Sequence, residues 1–567
     1  MTPTPILSKK SRKFLPENFS VTDWPSLEPW FTRLLQRELS SPRELETWLE
    51  DCSELESVIS EDACWRQIRM TCDTTNKKAE EAFLYFVTEL QPRIQPYADQ
   101  LNRKLIDCSF TAALDTSTYF TYLRNVRKQI ELFREANIPL LSELSVLSQQ
   151  YSTVCGKMTI EVEGKEYTLP QAGRFLEQPD RSLREQVYRK IQERRLQDKD
   201  LLNDLLTRLI QKRHQVATQT GFANYRDYKF KEMGRFDYRP EDCVQFHEAV
   251  QEEVVPLVNE LYLLKKKKLG LEVLKPWDLE AEPEQVKPLR PFETGAELLT
   301  KTTYCLDQLD PYFGHCLRTM KEMKRFDLES RKGKAPGGYN CPLAETGAPF
   351  IFMNASGQMS DVTTLMHEGG HAVHSFLTHS LALTAFKEAP IEMAEVASMA
   401  MELFSMDHWQ VFFPDPEDVK RAKLHQLERV ITIFPWIAMI DQFQHWLYEH
   451  PEHTLEERTA KWLSVIEAFR TPAVDLTGLE PFLNYSWQKQ LHIYEVPFYY
   501  IEYGIAQLGA IGLWKIYRED APRAIRQYKA ALQQGGMKTL PALYRCAGID
   551  FNFTRMHIKE LMQFVKN

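Results

Sequence analysis

The stretch from Asp361 to Phe376, DVTTLMHEGGHAVHSF, constrains this chain more than any other part of it. His367 and His371 are four residues apart, so on a helix both imidazoles leave one face and can converge on a single ion. Glu368 stands beside the first histidine, where its carboxylate can act as general base on a water at that ion. Ser360 or Asp361 is suited to cap the helix start, and Leu365, Met366, Gly369, Ala372, Val373 and Phe376 form an apolar stripe opposite the histidines. Gly369 and Gly370 each cost a helix about 1 kcal/mol relative to alanine, which predicts that something packs closely against them. A plain surface helix carrying two histidines leaves both glycines unexplained.

A catalytic zinc site needs a third protein ligand and one open position. The motif that continues with Gly and a third His fails, because those positions hold His374 and Leu377. Residues 387–404, KEAPIEMAEVASMAMELF, offer Glu388, Glu392, Glu395 and Glu402 instead, with Pro390 suited to the first turn of a new helix. AEVASMAMELF is apolar on nearly every side, so this helix should be buried, and Glu395 and Glu402, seven apart on one face, must find partners. We assign Glu395 as the third ligand of one Zn²⁺ per chain. Glu402 is assigned to hold the far ring nitrogen of a ligating histidine, with Glu392 as the fallback ligand. Ion pairs from these glutamates to Lys or Arg of a neighbouring helix are the competing reading.

Around this region the helical period dominates, with long candidates near 79–104, 117–153, 182–218, 241–269, 416–449, 454–470 and 522–534. The fold is therefore expected to be predominantly α. Met158–Leu169 reads as a hairpin turning at Glu163-Gly164, and Pro349–Asn354 as a second β-prone segment. Residues 271–295, rich in Pro and charge, read as a long surface connection, and Lys265–Lys268 as a solvated helix end before Gly270. Gly337, Gly338 and Gly357 read as turn residues. We divide the chain into an N-terminal helical region with a small hairpin, 1–200, and a catalytic region, 201–567.

The net charge of −9 gives no basic footprint, so nucleic acid is not an expected partner. The N-terminus lacks the apolar core of a secretory signal, and no uncharged apolar run reaches the length of a membrane span. Ten cysteines scattered from Cys52 to Cys546 without a CxxC pair fit reduced, packed thiols, and a cytoplasmic protein is expected. Oligomeric state has no signal here.

HEGGHAVH followed by AEVASMAME resembles the oligoendopeptidase F branch of the thimet oligopeptidase-like zinc metallopeptidase family, over roughly residues 200–567. The resemblance implies a multi-helix zincin-type fold, with a small β-sheet beside the active-site helix and a deep substrate channel between helical lobes. It also implies endopeptidase action on short unstructured peptides, with zinc on His367, His371 and Glu395 and Glu368 as base. One departure is Gly369, where the family commonly has a larger side chain. The family's C-terminal histidine and tyrosines correspond to His492, Tyr500 and Tyr503 in HIYEVPFYYIEYGIAQ, residues 492–507. Tyr500 and Tyr503 are three apart and share one side of a helix, while Tyr499 competes through its four-residue spacing to Tyr503. Ala348–Asn354 is expected to offer a strand edge to the peptide backbone. Two other functions fit the same residues. One is a dipeptidyl carboxypeptidase, which needs a cation for the substrate carboxylate; the other is a non-catalytic peptide-binding protein, against which Glu368 argues.

Overall fold

The computed structural model describes residue 7 and residues 11–567, so most of the N-terminal stretch read above for a signal lies outside the described residues. Helices dominate. Pro416–Glu449, Leu455–Phe469 and Ala521–Leu532 match the periodicity closely. Two expected helices are each broken in two. The 117–153 segment splits into Thr116–Leu132 and Ile138–Cys155, because Pro139 opens a new helix and the buried Asn137 amide turns aside to donate to Val216 O and Thr220 Oγ1. The 182–218 segment splits at Gln197-Asp198, between Arg181–Leu196 and Lys199–Gln219, where no Gly or Pro marks the break. Continuous helix runs from Pro240 to Lys268, but with a π-turn at Val250–Val254 directly before the N–H-less Pro256.

The longest helix absent from the periodicity reading is Pro42–Cys72. Ser53, Ser57 and Glu61 are buried among its apolar residues, which blurs the stripe. No helix among the described residues is long and apolar enough to cross a membrane.

The expected hairpin forms from β1 (Thr159–Val162) and β2 (Lys165–Thr168), with Glu163 and Gly164 in the left-handed region. A second sheet contains β3 (Phe326–Glu329), β4 (Tyr339–Cys341) and β5 (Phe350–Ala355) in the order β3-β5-β4. β5 is the central strand, parallel to β3 and antiparallel to β4. Its backbone groups are thus already paired on both sides, and the expectation that Ala348–Asn354 offers a free edge is wrong. The edge near the motif belongs to β4, where the Asn340 amide donates to the Glu368 carbonyl at 3.2 Å and anchors strand to helix.

The motif helix, Met359–Thr378, begins directly after β5. Asp361 caps it, as anticipated, but from inside its first turn: one carboxylate oxygen accepts the N–H groups of Ser356, Gly357 and Gln358 at 2.8, 2.9 and 2.9 Å. Beneath this helix lies Ile391–Ser405, 13 of whose 15 residues are buried, so it is core on all sides as its composition requires. That helix is sandwiched between the motif helix and Tyr500–Glu519.

The glycines explain how close the first of these contacts is. A Cβ on Gly370 would lie 2.5 Å from Ala397 O and 2.6 Å from Ser398 Cα, whereas one on Gly369 would meet leucine methyls, Leu306 Cδ1 at 3.2 Å and Leu317 Cδ1 at 4.0 Å. Backbone cannot give way as a leucine methyl can. Gly370→Ala should therefore cost about 3 kcal/mol or more by overpacking. Gly369→Ala, which gains helix propensity, should stay within about 1 kcal/mol of the parent. Urea denaturation of the two variants tests this, and equal midpoints would refute the close-approach account.

Candidate metal centre

The four-residue spacing delivers both histidines to one side of the motif helix, and the approach at Gly370 brings Glu395 up to them. His367 Nε2 lies 3.2 Å and His371 Nε2 3.6 Å from Glu395 Oε2. An ion about 2.0–2.1 Å from each donor in tetrahedral geometry sets donors about 3.3 Å apart, so the three side chains have the spacing and donor chemistry for zinc. All three line a cavity of about 480 Å³ together with Glu368, Tyr499, Tyr503 and residues of the β4 edge.

His367 and Glu395 are held from behind. His367 Nδ1 bonds Glu402 Oε1 at 2.8 Å, Gln426 Nε2 donates to Glu402 Oε2 at 2.8 Å, and Thr363 Oγ1 donates to Gln426 Oε1 at 3.1 Å. Glu402 thus sits on the ring nitrogen of His367 that faces away from Glu395. Glu395 accepts from Ser398 Oγ at 3.1 Å and from the Tyr499 hydroxyl at 2.5 Å. Glu392, the fallback, points elsewhere, towards Glu502 and its partner Arg235.

Charge at the centre follows from this packing. Burial favours a neutral His367, but its hydrogen bonds to Glu395 and Glu402 outweigh that and hold its pKa well above the usual value. Burial pushes Glu395 up, yet the two histidines hold it well below the carboxylate range. Burial raises Glu368, against the opposing pull of the histidines, and its Oε2 is a buried oxygen with no hydrogen-bond partner. Such an atom aimed beside a metal-sized gap is placed to receive a proton.

The aromatic residues divide differently from expectation. Tyr499 and Tyr503, four apart, line the cavity, whereas Tyr500 is turned about a quarter-circle away, beside Trp436 and Arg429. Phe498 just before them has φ of +65°, a strained value for a bulky residue, and is fixed by its N–H donating to Gln444 Oε1 at 2.8 Å and by Arg235 donating to its carbonyl. His492 stands behind the cavity wall, with Gln490 Nε2 on its Nδ1 at 2.7 Å and Tyr503 OH 3.2 Å from its Nε2. Burial pushes this imidazole down to about 4, so it is neutral near pH 7. With Gln490 donating to Nδ1, the ring proton is on Nε2 and donates to the Tyr503 oxygen, leaving the Tyr503 hydroxyl free to donate into the cavity.

Sequence reasoning missed Gln426, Ser398 and Gln490. Ser398 and Gln490 lie within three residues of a chosen side chain, but Gln426 comes from a distant helix and had no local signal. One other metal-capable set exists among the described residues, Cys243, Asp441 and His445. It lines none of the cavities described, and His247 already bonds Asp441 at 2.8 Å, so it reads as a buried polar knot between helices.

Residues 174–563 match the family described as Peptidase family M3, and residues 14–133 match the Peptidase M3 N-terminal domain. An oligoendopeptidase F homolog of Borreliella burgdorferi is 23% identical over 440 residues, covering 75% of this chain and 72% of the relative. Oligopeptidase PepF of Bacillus subtilis is 23% identical over 300 residues, covering 52% and 44%. Among solved structures, PZ peptidase A with an inhibitor superposes with a TM-score of 0.91 at 26% identity, covering 96% of this chain and 97% of that one. The oligoendopeptidase F of Enterococcus faecium, at 16% identity and TM-score 0.64, shares the fold.

Because His367 is held protonated by its carboxylate neighbours, metal must displace a proton to bind. Titrating zinc into chelator-treated protein near pH 7 should release protons, read by calorimetry as a heat that depends on the buffer's ionisation enthalpy. Identical heats in all buffers would contradict this.

Proposed function

The chain belongs to peptidase family M3, and from that premise we propose that it is a zinc-dependent endopeptidase cleaving internal bonds of short, unstructured oligopeptides. The observation that carries the reading is the convergence of His367, His371 and Glu395 at metal-ligand spacing in the cavity that Glu368 also lines.

His367, His371 and Glu395 would hold the ion. Zinc held there would supply Lewis acidity for the scissile carbonyl and would lower the pKa of a water towards about 7. Glu368 takes the proton of the attacking water on its unpartnered Oε2 and later passes it to the leaving amine. Glu402 and Gln426 keep His367 in the tautomer whose Nε2 faces the ion. The Tyr503 hydroxyl, oriented by neutral His492, donates to the oxygen on which negative charge develops. Tyr499 fixes Glu395, and Tyr500 supports the aromatic cluster from behind.

A cavity of about 480 Å³ supports peptides over folded proteins. The unpaired edge of β4 supports recognition through main-chain hydrogen bonds, which tolerates many sequences. Free thiols at all ten cysteines support a reducing, cytoplasmic setting.

Glu368→Gln should keep one zinc per chain and lower hydrolysis of an internally quenched peptide by about 10²–10⁴-fold. Full activity in the zinc-loaded variant would remove the general-base role. Tyr503→Phe should lower kcat by about 10²–10³-fold with little change in KM. Tyr500→Phe should change kcat far less, and equal losses in steady-state kinetics would count against the Tyr503 assignment.

A further inference from the structure

A second cavity of about 550 Å³ lies between the N-terminal helices, and it meets the catalytic cavity at Ser60, which lines both. Two glutamates flank that junction. Glu56 lines the N-terminal cavity, one helical turn before Ser60 on Pro42–Cys72, and Glu388 lines the catalytic cavity. Both carboxylates are open to the cavities yet surrounded by the rest of the protein.

Their carriers are locked together. Thr384 N–H donates to Ser53 Oγ at 2.6 Å, Thr384 Oγ1 donates to Ser53 O at 3.1 Å, and Ser53 Oγ bonds Thr384 Oγ1 at 2.9 Å. Ser53 is three residues before Glu56, and Thr384 four before Glu388, so one buried contact fixes both glutamates.

Neither carboxylate makes an ion pair with a described residue. Lys128, which also lines the N-terminal cavity, is the cation that most affects Glu388, but its amine is held by the Glu232 carbonyl at 2.8 Å. Lys387 on the other side of Glu388 donates to the Ala344 carbonyl at 3.2 Å. Burial, then the nearby Glu388 charge, pushes Glu56 up to about 7. Two acids thus face the junction of the cavities, each open to it and neither in an ion pair.

We propose that Glu56 and Glu388 form a cation-binding subsite at the junction of the two cavities, receiving an ammonium or guanidinium group of the bound peptide. This deepens the peptidase reading and rests on it. The group is either a Lys or Arg side chain or the free peptide N-terminus, since all three present the same charged donors to a carboxylate pair.

The test uses zinc-loaded protein and internally quenched peptides of one length. In one series a Lys is moved along the sequence and compared with acetyl-lysine at the same position; in the other a free N-terminus is compared with an acetylated one. The subsite predicts that in one series the charged form is favoured by about tenfold or more in kcat/KM. That ratio should collapse towards one in Glu56→Gln/Glu388→Gln, and invert towards acidic residues in Glu388→Lys. A ratio near one at every position in the parent, or one that survives in the double variant, overturns the subsite. The same ratios are read as affinities by fluorescence anisotropy on zinc-loaded Glu368→Gln protein. If the parent cleaves no peptide, the peptidase reading fails, and the affinity ratios still decide the subsite. Thermal melts of each variant separate lost recognition from lost folding.

Discussion

Everything at the centre depends on a carboxylate that should not be where it is. Glu395 is 1% exposed, inside a helix that is otherwise core. Taking a carboxylate out of water costs several kcal/mol even after relaxation. The hydrogen bonds from Ser398 and Tyr499 offset about 1.5–3 kcal/mol each. Three carboxylates, Glu368, Glu395 and Glu402, surround two imidazoles, so the balance is met only by added positive charge. Protonated His367 supplies some of it in the metal-free protein, and a divalent ion would supply more.

The close packing of two helices sets the distances on which that balance rests. Gly370 removes the one Cβ that would hold the motif helix off the Ala397-Ser398 backbone, and the histidines then reach Glu395 without either helix bending. Asp361 fixes where the motif helix starts and Asn340 ties it to β4, so the same helix also sets the position of the strand edge along the cavity. The spacing of the three donor side chains and the position of the strand edge are therefore consequences of a single packed unit.

The sequence made the centre of this unit legible because its information is local. Two histidines one turn apart, and two glutamates seven apart in an apolar helix, have few arrangements open to them. The choice between Tyr499 and Tyr500 was not local: it depends on Phe498 adopting a left-handed turn, held by Gln444 and Arg235, which sets the angle at which the last helix faces the cavity. β5 was recognised as a strand, but its neighbours were not, and pairing partners decide whether a strand has a free edge. Pro42–Cys72 escaped notice because Ser53, Ser57 and Glu61 are buried among its apolar residues, with Ser53 on Thr384 and Glu61 on the Glu345 and Thr346 N–H groups, and break its stripe. Partners supplied by distant segments leave no period in a sequence.

The most direct measurement is the position of the metal. Diffraction from crystals of zinc-loaded protein, collected above and below the zinc absorption edge, should give one anomalous peak per chain, about 2.0–2.1 Å from His367 Nε2, His371 Nε2 and a Glu395 carboxylate oxygen. A peak elsewhere, such as among Cys243, Asp441 and His445, with none at the motif helix, would contradict the account.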